Sequence, residues 1–416
     1  MEFIQPAKPR QNAYIERYNR TVRYDWLTQY LFGSIEEVQE YATRWLWTYN
    51  HERPNMGLGG IIPIQKLAVV VKRGGITVST SMKIESLIKD LVENRCIEVS
   101  DLRAFFAELC DGVPYPPEQL AALLVLLRAR GETADQLAGI AEVLLERALP
   151  VDMPGAAVCL CGTGGDNSGT FNISTTASLL VAACGVPVAK HGSRSVTSKS
   201  GSADVLEELG IATDLGPERA AYSLENYDFA FLSAQIYHPS FKNISPVRKA
   251  LKVRTIFNII GPLLHPGGLK RQVIGVFDPG LLDILAGALS RLGHIKTMVV
   301  CSDDLLDEIS MTGISHAKLV EGDSITDLTI NPEDYGFDLC SLADLKGGDA
   351  RENAQIALEI FAGTKGPKSD CIVFNSGIAL YLSGKTDTIE KGIEIARSVQ
   401  ESGMAMEFIE RLREVK

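Results

Sequence analysis

Apolar residues recur along this 416-residue chain first with a helical period and later with a strand period. Ile84, Leu87, Ile88, Leu91 and Val92 fall at i, i+3, i+4, i+7 and i+8, one face of an amphipathic helix. Leu102, Phe105, Phe106 and Leu109 repeat the pattern, and Gly112 ends it. Pro116-Pro117 opens a third, strongly apolar helix through Leu127 that stops near Gly131. Thr133 and Gln136 form a capping-box signature before a fourth helix to about Ala148. Four helices in series without strands predict a small helical domain over 82–150, completed by a later segment near 245–270.

The period changes at Val158. A short apolar run, Val158–Cys161, meets the turn Gly162-Thr163-Gly164-Gly165-Asp166, and an apolar helical stretch follows to Cys184-Gly185. Val186–Ala189 reads as a strand, followed by a Gly/Ser-rich loop and a helix near Ala203–Leu209. Asp228–Leu232, Gln272–Phe277, Thr297–Cys301 and Cys371–Phe374 read as further strands, several followed by helical stretches. Alternating strands and helices predict an α/β class: a small N-terminal helical domain plus a large α/β domain over 151–416 with a mainly parallel central sheet.

Two of the loops carry chemistry. Glycine lets the backbone approach an anion closely and aim successive N–H groups at it, and a following helix N-terminus adds a favourable dipole. Gly162–Asp166 is the first such loop and continues to Asn172-Ile173-Ser174-Thr175. The second runs Lys190-His191-Gly192-Ser193-Arg194-Ser195-Val196-Thr197-Ser198-Lys199-Ser200-Gly201-Ser202, rich in cations and hydroxyls. In a chain of net charge -11, that concentration of donors calls for an anionic partner. Asp307-Glu308, after the strand Thr297–Cys301, is an adjacent carboxylate pair of the kind that suits Mg²⁺ shared with substrate phosphates.

Composition divides the chain near residue 75. All three tryptophans, Trp26, Trp45 and Trp47, lie in the first 50 residues. Residues 1–73 hold 10 Lys/Arg against 7 Asp/Glu, and the remainder holds 31 against 45. The acidic remainder argues against nucleic acid as a partner over most of the chain. The eight cysteines show neither zinc spacing nor a disulfide framework, and read as free thiols in a reducing cytosol. The first residues lack a signal peptide's pattern, and no apolar run approaches the length of a membrane span, so the cytoplasm is the expected location.

From about residue 82 to 416 the motifs resemble anthranilate phosphoribosyltransferase. The resemblance rests on Gly162–Asp166, Asn172–Thr175, Lys190–Asp204, Val247-Arg248, Arg254–Leu263, Leu306–Ser310, Glu352-Asn353-Ala354 and Asn375. It implies a homodimer of the anthranilate type within the nucleoside phosphorylase/phosphoribosyltransferase class. Such enzymes transfer the phosphoribosyl group of 5-phosphoribosyl 1-diphosphate to anthranilate, the second step of tryptophan biosynthesis, in a cleft between the two domains.

Residue by residue, the resemblance implies that Gly162, Gly165, Asp166, Thr170, Asn172, Ile173, Ser174 and Thr175 line the diphosphate and ribose site. Lys190, His191, Gly192, Ser193, Arg194, Ser195, Val196, Thr197, Ser198 and Ser202 would cradle the phosphates, with Lys190 and Arg194 stabilising the leaving group. Ser174, Asp307 and Glu308 would hold Mg²⁺, and Gly162, Ser193 and Arg248 would meet anthranilate. Two departures stand out: Ser193 replaces the family's usual Asn, and Leu305 falls where the family commonly has glycine before Leu-Asp-Glu.

The first 70 residues resemble instead the C-terminal end of insertion-sequence transposases with a retroviral-integrase-like core. The residues concerned are Lys8-Pro9, Asn12–Asn19, Trp47–Asn50, Arg53-Pro54, Gly57–Gly60 and Ile62-Pro63. Glu16 would be the third carboxylate of a two-metal site, but only 15 residues precede it and the two aspartates have no room. Residues 1–75 therefore read as a remnant, with Met82 as the native start. The alternatives are the same fold acting on another aromatic or nucleobase acceptor, a DNA-binding transposase-related protein, and a catalytically dead binding protein.

Overall fold

The chain divides into two units, residues 1–81 and 82–416. The structure, a computed structural model, describes residues 84–166, 168–194 and 200–415. The integrase-like segment with Glu16, the start at Met82, and Ser195, Val196, Thr197 and Ser198 lie outside the described residues.

Four helices come first: α1 (Ile84–Val92), α2 (Val99–Cys110), α3 (Pro117–Arg130) and α4 (Ala134–Leu145). Ile84, Leu87 and Leu91 of α1 are buried, whereas Val92 is 60% exposed and lies off the apolar face. The capping box closes both ways at α4: Gln136 N donates to Thr133 Oγ1 at 3.2 Å, and Thr133 N to Gln136 Oε1 at 3.1 Å. Such a cap contributes about 1 kcal/mol. Ile244, Val247, Ile256, Phe257, Ile260 and Leu263 join the same apolar cluster as the four helices, so a later segment of the chain packs on the bundle.

The α/β part is built on β1 (Cys159–Gly162), α5 (Ile173–Ala183), β2 (Val188–Gly192), α6 (Ser202–Glu208), α7 (Pro217–Tyr227) and β3 (Phe229–Ser233). Short helices α8 (Ala234–Tyr237) and α9 (Ser245–Leu251) lead to β4 (Arg271–Gly275), α10 (Leu282–Arg291), β5 (Lys296–Ser302), β6 (Ser315–Glu321) and β7 (Ser324–Ile330). Helices α11 (Ala350–Phe361), α12 (Pro367–Ser383), α13 (Ile389–Ser402) and α14 (Met404–Leu412) complete it. Five strands form a sheet of order β1-β4-β5-β6-β7, and β2-β3 form a second. The β1-β4, β4-β5 and β2-β3 pairs are parallel; β5-β6 and β6-β7 are antiparallel.

One parallel bridge, Val158 to Val188, joins the two sheets, with Val158 N donating to Pro187 O at 2.9 Å and Ala189 N to Val158 O at 3.1 Å. The acceptors that would continue this ladder are Ala189 O and Leu160 O. Side chains take them instead: His265 Nε2 lies 2.8 Å from Ala189 O, and Lys190 Nζ donates to Leu160 O at 2.7 Å. The seam between β1 and β2 is thus held open by an imidazole and an ammonium.

Two sequence expectations are corrected. Cys371–Phe374 is not a strand but part of α12. Every residue from Cys371 to Leu380 is buried, so the helix has no polar face and its apolar run carries no period to separate it from a buried strand. The β6-β7 hairpin is absent from the sequence reading, although Gly322-Asp323 between Glu321 and Ser324 is a two-residue turn with Gly322 at φ 62°.

Candidate active site

β1 ends at Gly162 and runs into a turn in which Gly164 and Gly165 adopt φ of 71° and 87°, a left-handed backbone that favours glycine. The turn faces the loop after β5. Gly164 N donates to Asp307 Oδ2 at 2.6 Å, and Ser174 N, in the first turn of α5, donates to Glu308 Oε1 at 3.1 Å. Glycine is required on both sides of this contact. A Cβ at Gly162 would collide with the Asp307 carboxylate, and one at Gly275 with the Asp307 carbonyl.

Lys190 is 1% exposed and lies beneath the meeting point, its Nζ 3.4 Å from Ser174 Oγ. Burial, then repulsion from Glu308 and Asp166, holds the Asp307 carboxyl well above the usual carboxylate range. Burial pushes Glu308 up to about 7, against the opposing pull of the Lys190 charge and the Ser174 bonds. Among the described residues, no three His, Cys, Asp or Glu side chains could cage a metal ion by themselves. Two crowded carboxylates beside anion-facing amides fit a different arrangement, a hard divalent cation that completes its shell with substrate oxygens.

The other sequence-predicted residues buttress this centre. Asp166 Oδ1 accepts from Ser168 N at 3.3 Å, and Thr170 bridges to Lys346. Asn172 precedes α5, receives Asn353 Nδ2 at 2.8 Å and donates to Ser200 O at 3.3 Å, while Ile173 is fully buried. Thr175 Oγ1 donates to Ser202 Oγ at 3.1 Å, joining α5 to α6. His191, Gly192 and Ser193 leave the end of β2, and Ser193 Oγ donates to Arg194 O at 3.1 Å. Arg194 turns away from the carboxylate pair and binds Asp204, at 3.2 Å, and Glu207.

Arg248 sits apart from this centre, on α9. It stacks 5.2 Å from the Phe257 ring, makes no ion pair among the described residues, and burial pushes its pKa below the ordinary guanidinium value. A row of rings links it back to β2. Phe257 meets Phe241 at 5.8 Å, Phe241 stacks on His238 at 5.1 Å, and His238 meets His191 at 5.2 Å.

Sequence reasoning misses His238. It is 1% exposed, its Nε2 lies 2.8 Å from Leu264 O, and its Nδ1 is buried with no hydrogen-bond partner. Burial holds its pKa down at about 4. Also missed are Asp304, beside the carboxylate pair, and Arg254, which donates to Gly165 O at 2.6 Å while stacked 3.8 Å over Phe277. Arg254 does lie within the Arg254–Leu263 motif; nothing in the sequence marks His238 beyond its place before Pro239.

Comparison with known proteins agrees with this architecture. Residues 155–406 match the α/β domain of a glycosyl transferase family, residues 85–148 its helical bundle domain, and residues 1–63 an integrase core domain. The chain is 45% identical over 297 residues to the anthranilate phosphoribosyltransferase of Desulfitobacterium hafniense (strain DSM 10664 / DCB-2), covering 71% of this chain and 88% of that one. The crystal structure of the Thermus thermophilus anthranilate phosphoribosyltransferase superposes with a TM-score of 0.74 at 36% identity, covering 79% of this chain and 98% of that one. The Saccharomyces cerevisiae enzyme, in complex with PRPP and Mg, gives 0.73 at 25% identity over 82% and 98%. The chain belongs to the anthranilate phosphoribosyltransferase family.

Proposed function

We propose that this chain transfers the phosphoribosyl group of 5-phosphoribosyl 1-diphosphate to the amine of anthranilate, releasing diphosphate, and does so as a Mg²⁺-dependent cytoplasmic homodimer in the second step of tryptophan biosynthesis. The observation that carries this reading is the meeting of the Gly162–Asp166 turn and the α5 N-terminus with the Asp307-Glu308 pair above the buried Lys190. Among the described residues no helix is long and apolar enough to cross a membrane.

In the reaction the C1–O bond to diphosphate breaks with oxocarbenium character at the ribose, and negative charge grows on the leaving group. The glycine turn, Thr170, Asn172, Ile173 and Thr175 bind the donor, with the dipole of α5 aimed at its phosphates. Lys190 supplies a fixed positive charge that burial keeps from being screened. With the donor bound, Arg194 would exchange Asp204 and Glu207 for phosphate oxygens. Bound through Ser174, Asp307 and Glu308, Mg²⁺ would neutralise the diphosphate.

On the acceptor side the unpaired Arg248 guanidinium suits the anthranilate carboxylate. The bare His238 Nδ1 suits an N–H of its amine. An imidazole held near 4 is a weak base, fit to orient the amine rather than to deprotonate it. An aromatic amine is neutral at pH 7 and needs no prior deprotonation, so positioning and electrostatics do most of the work. Gly162 and Ser193, at the ends of β1 and β2, border both substrates.

The test is the loss of anthranilate fluorescence when the purified chain meets 5-phosphoribosyl 1-diphosphate and Mg²⁺. A folded protein that leaves the fluorescence unchanged overturns the reading.

A further inference from the structure

We infer that Asp304 is a positioning residue for the metal-facing pair, holding the Asp307-Glu308 loop from outside the site; this rests on the proposed Mg²⁺ role of that pair. The loop lies between β5 and β6 and makes its sharpest turn at Leu305, which adopts φ 60°. Leucine does not choose a left-handed backbone; something must hold it there. The Asp304 carboxylate is the knot. Ser302 Oγ lies 2.5 Å from its Oδ1, and Leu306 N donates to the same oxygen at 3.4 Å. Thr312 Oγ1 donates to Oδ2 at 2.5 Å, and Ser310 Oγ lies 3.3 Å from it.

One carboxylate therefore ties the end of β5 to the residues on both sides of Asp307 and Glu308. A charged acceptor makes these bonds stronger than an amide would. Behind the loop, Asn375 Nδ2 donates to Ile309 O at 2.9 Å, and Ser315 Oγ receives Ser310 N at 3.2 Å. With the loop pinned at both flanks, Asp307 and Glu308 meet the glycine turn and α5 in one fixed geometry. That matters because two adjacent carboxylates repel, and left free they would part. Partners that orient metal ligands in this way are worth about 10–100-fold in metal affinity or activity.

The experiment compares wild type, Asp304→Ala, Asp304→Asn, Thr312→Val and Asp307→Asn as full-length chains. Electron paramagnetic resonance measures Mn²⁺ binding in the presence of inorganic diphosphate, and Mg²⁺ titrations follow activity. For Asp304→Ala the expected result is a Mn²⁺ affinity about 10–100-fold weaker and a matching rise in the Mg²⁺ needed for half-maximal rate. Excess Mg²⁺ should restore kcat, and the anthranilate KM should stay within about twofold. Asp304→Asn and Thr312→Val should show smaller shifts of the same kind and stand in if the alanine variant fails to fold.

Wild-type Mn²⁺ affinity in the Asp304 and Thr312 variants, with affinity lost in Asp307→Asn, overturns the inference and leaves the metal reading intact. Wild-type affinity in Asp307→Asn as well overturns both. A fall in kcat that excess Mg²⁺ does not restore also overturns it, because that is the signature of general disruption.

Discussion

On the donor side the polar groups arrive already partnered: Gly164 N with Asp307, Ser174 N with Glu308, Lys190 with Leu160 O. On the acceptor side they do not. Among the described residues Arg248 makes no ion pair and stacks on a phenyl ring, and His238 keeps a buried nitrogen without a donor. The first region sets backbone groups against side chains, with glycines where a Cβ would collide with Asp307. The second is made of side chains carrying an uncompensated charge and an unmet acceptor, and a ligand that satisfies both removes a desolvation cost. If the first region holds the donor and the second the acceptor, as proposed, substitutions in the two should fail differently.

The largest effect should come from Gly275→Ala, whose new methyl meets the main-chain carbonyl of Asp307 rather than a side chain that can swing away. Overpacking typically costs about 1–3 kcal/mol and occasionally more, and a clash with backbone stands at the upper end. Chemical denaturation should show it, and a variant with wild-type midpoint and donor affinity would remove the claim that this approach is obligatory. Arg248→Ala comes next. Losing a buried charge contact to a ligand carboxylate costs about 3 kcal/mol, on the order of 100-fold in the anthranilate KM, with the donor KM unchanged. Equal losses for both substrates would dissolve the division of labour.

The regions should also carry opposite pH signatures in the metal-free protein. Glu308, raised to about 7, favours its protonated form in the fold, so its contribution is complete below its ordinary 4.5 and is lost as pH climbs from there through 7. His238, depressed to about 4, favours its neutral form, so its contribution is complete above 6.5 and is lost as pH falls from there through 4. Each window is worth on the order of 3 kcal/mol. Unfolding midpoints across pH should lose the fall in stability from pH 4.5 up to about 7 in Glu308→Gln and the fall from pH 6.5 down to about 4 in His238→Asn. If both variants keep both slopes, these groups do not set them. The smallest effect is a gain: Leu305→Gly relieves a left-handed leucine and should stabilise the fold by about 1 kcal/mol. An unchanged or lower melting temperature would show that the turn is not strained.

The same contrast explains what can be read from the amino acids. The glycine turn announces itself through its spacing, and Gly162–Asp166 and Asp307-Glu308, both singled out in the sequence, meet in the structure. The capping box at Thr133 is equally local and equally readable. The ring row from Arg248 to His191 is not, because it joins β2, the β3–α9 connection and the residues after α9, segments that only folding brings together. Asp304 is hidden for a related reason: in sequence it is one of two acidic residues in a turn, and only its four neighbours in space distinguish it from Asp303, which pairs with His316. Helix α12 defeats period analysis because burial on every side erases the period.

The open seam between β1 and β2 has a consequence for mutagenesis. Lys190 occupies the position of a missing sheet hydrogen bond as well as that proposed for a charge beside the phosphates. Its neutral replacement would remove a cation and unstitch two sheets at once, and the resulting rate would mix the two losses. A guanidinium at this position would separate them better than methionine, since it keeps donors for Leu160 O while changing where the charge sits. In a lineage drifting toward a new acceptor, this double tenancy would make Lys190 among the last residues free to vary.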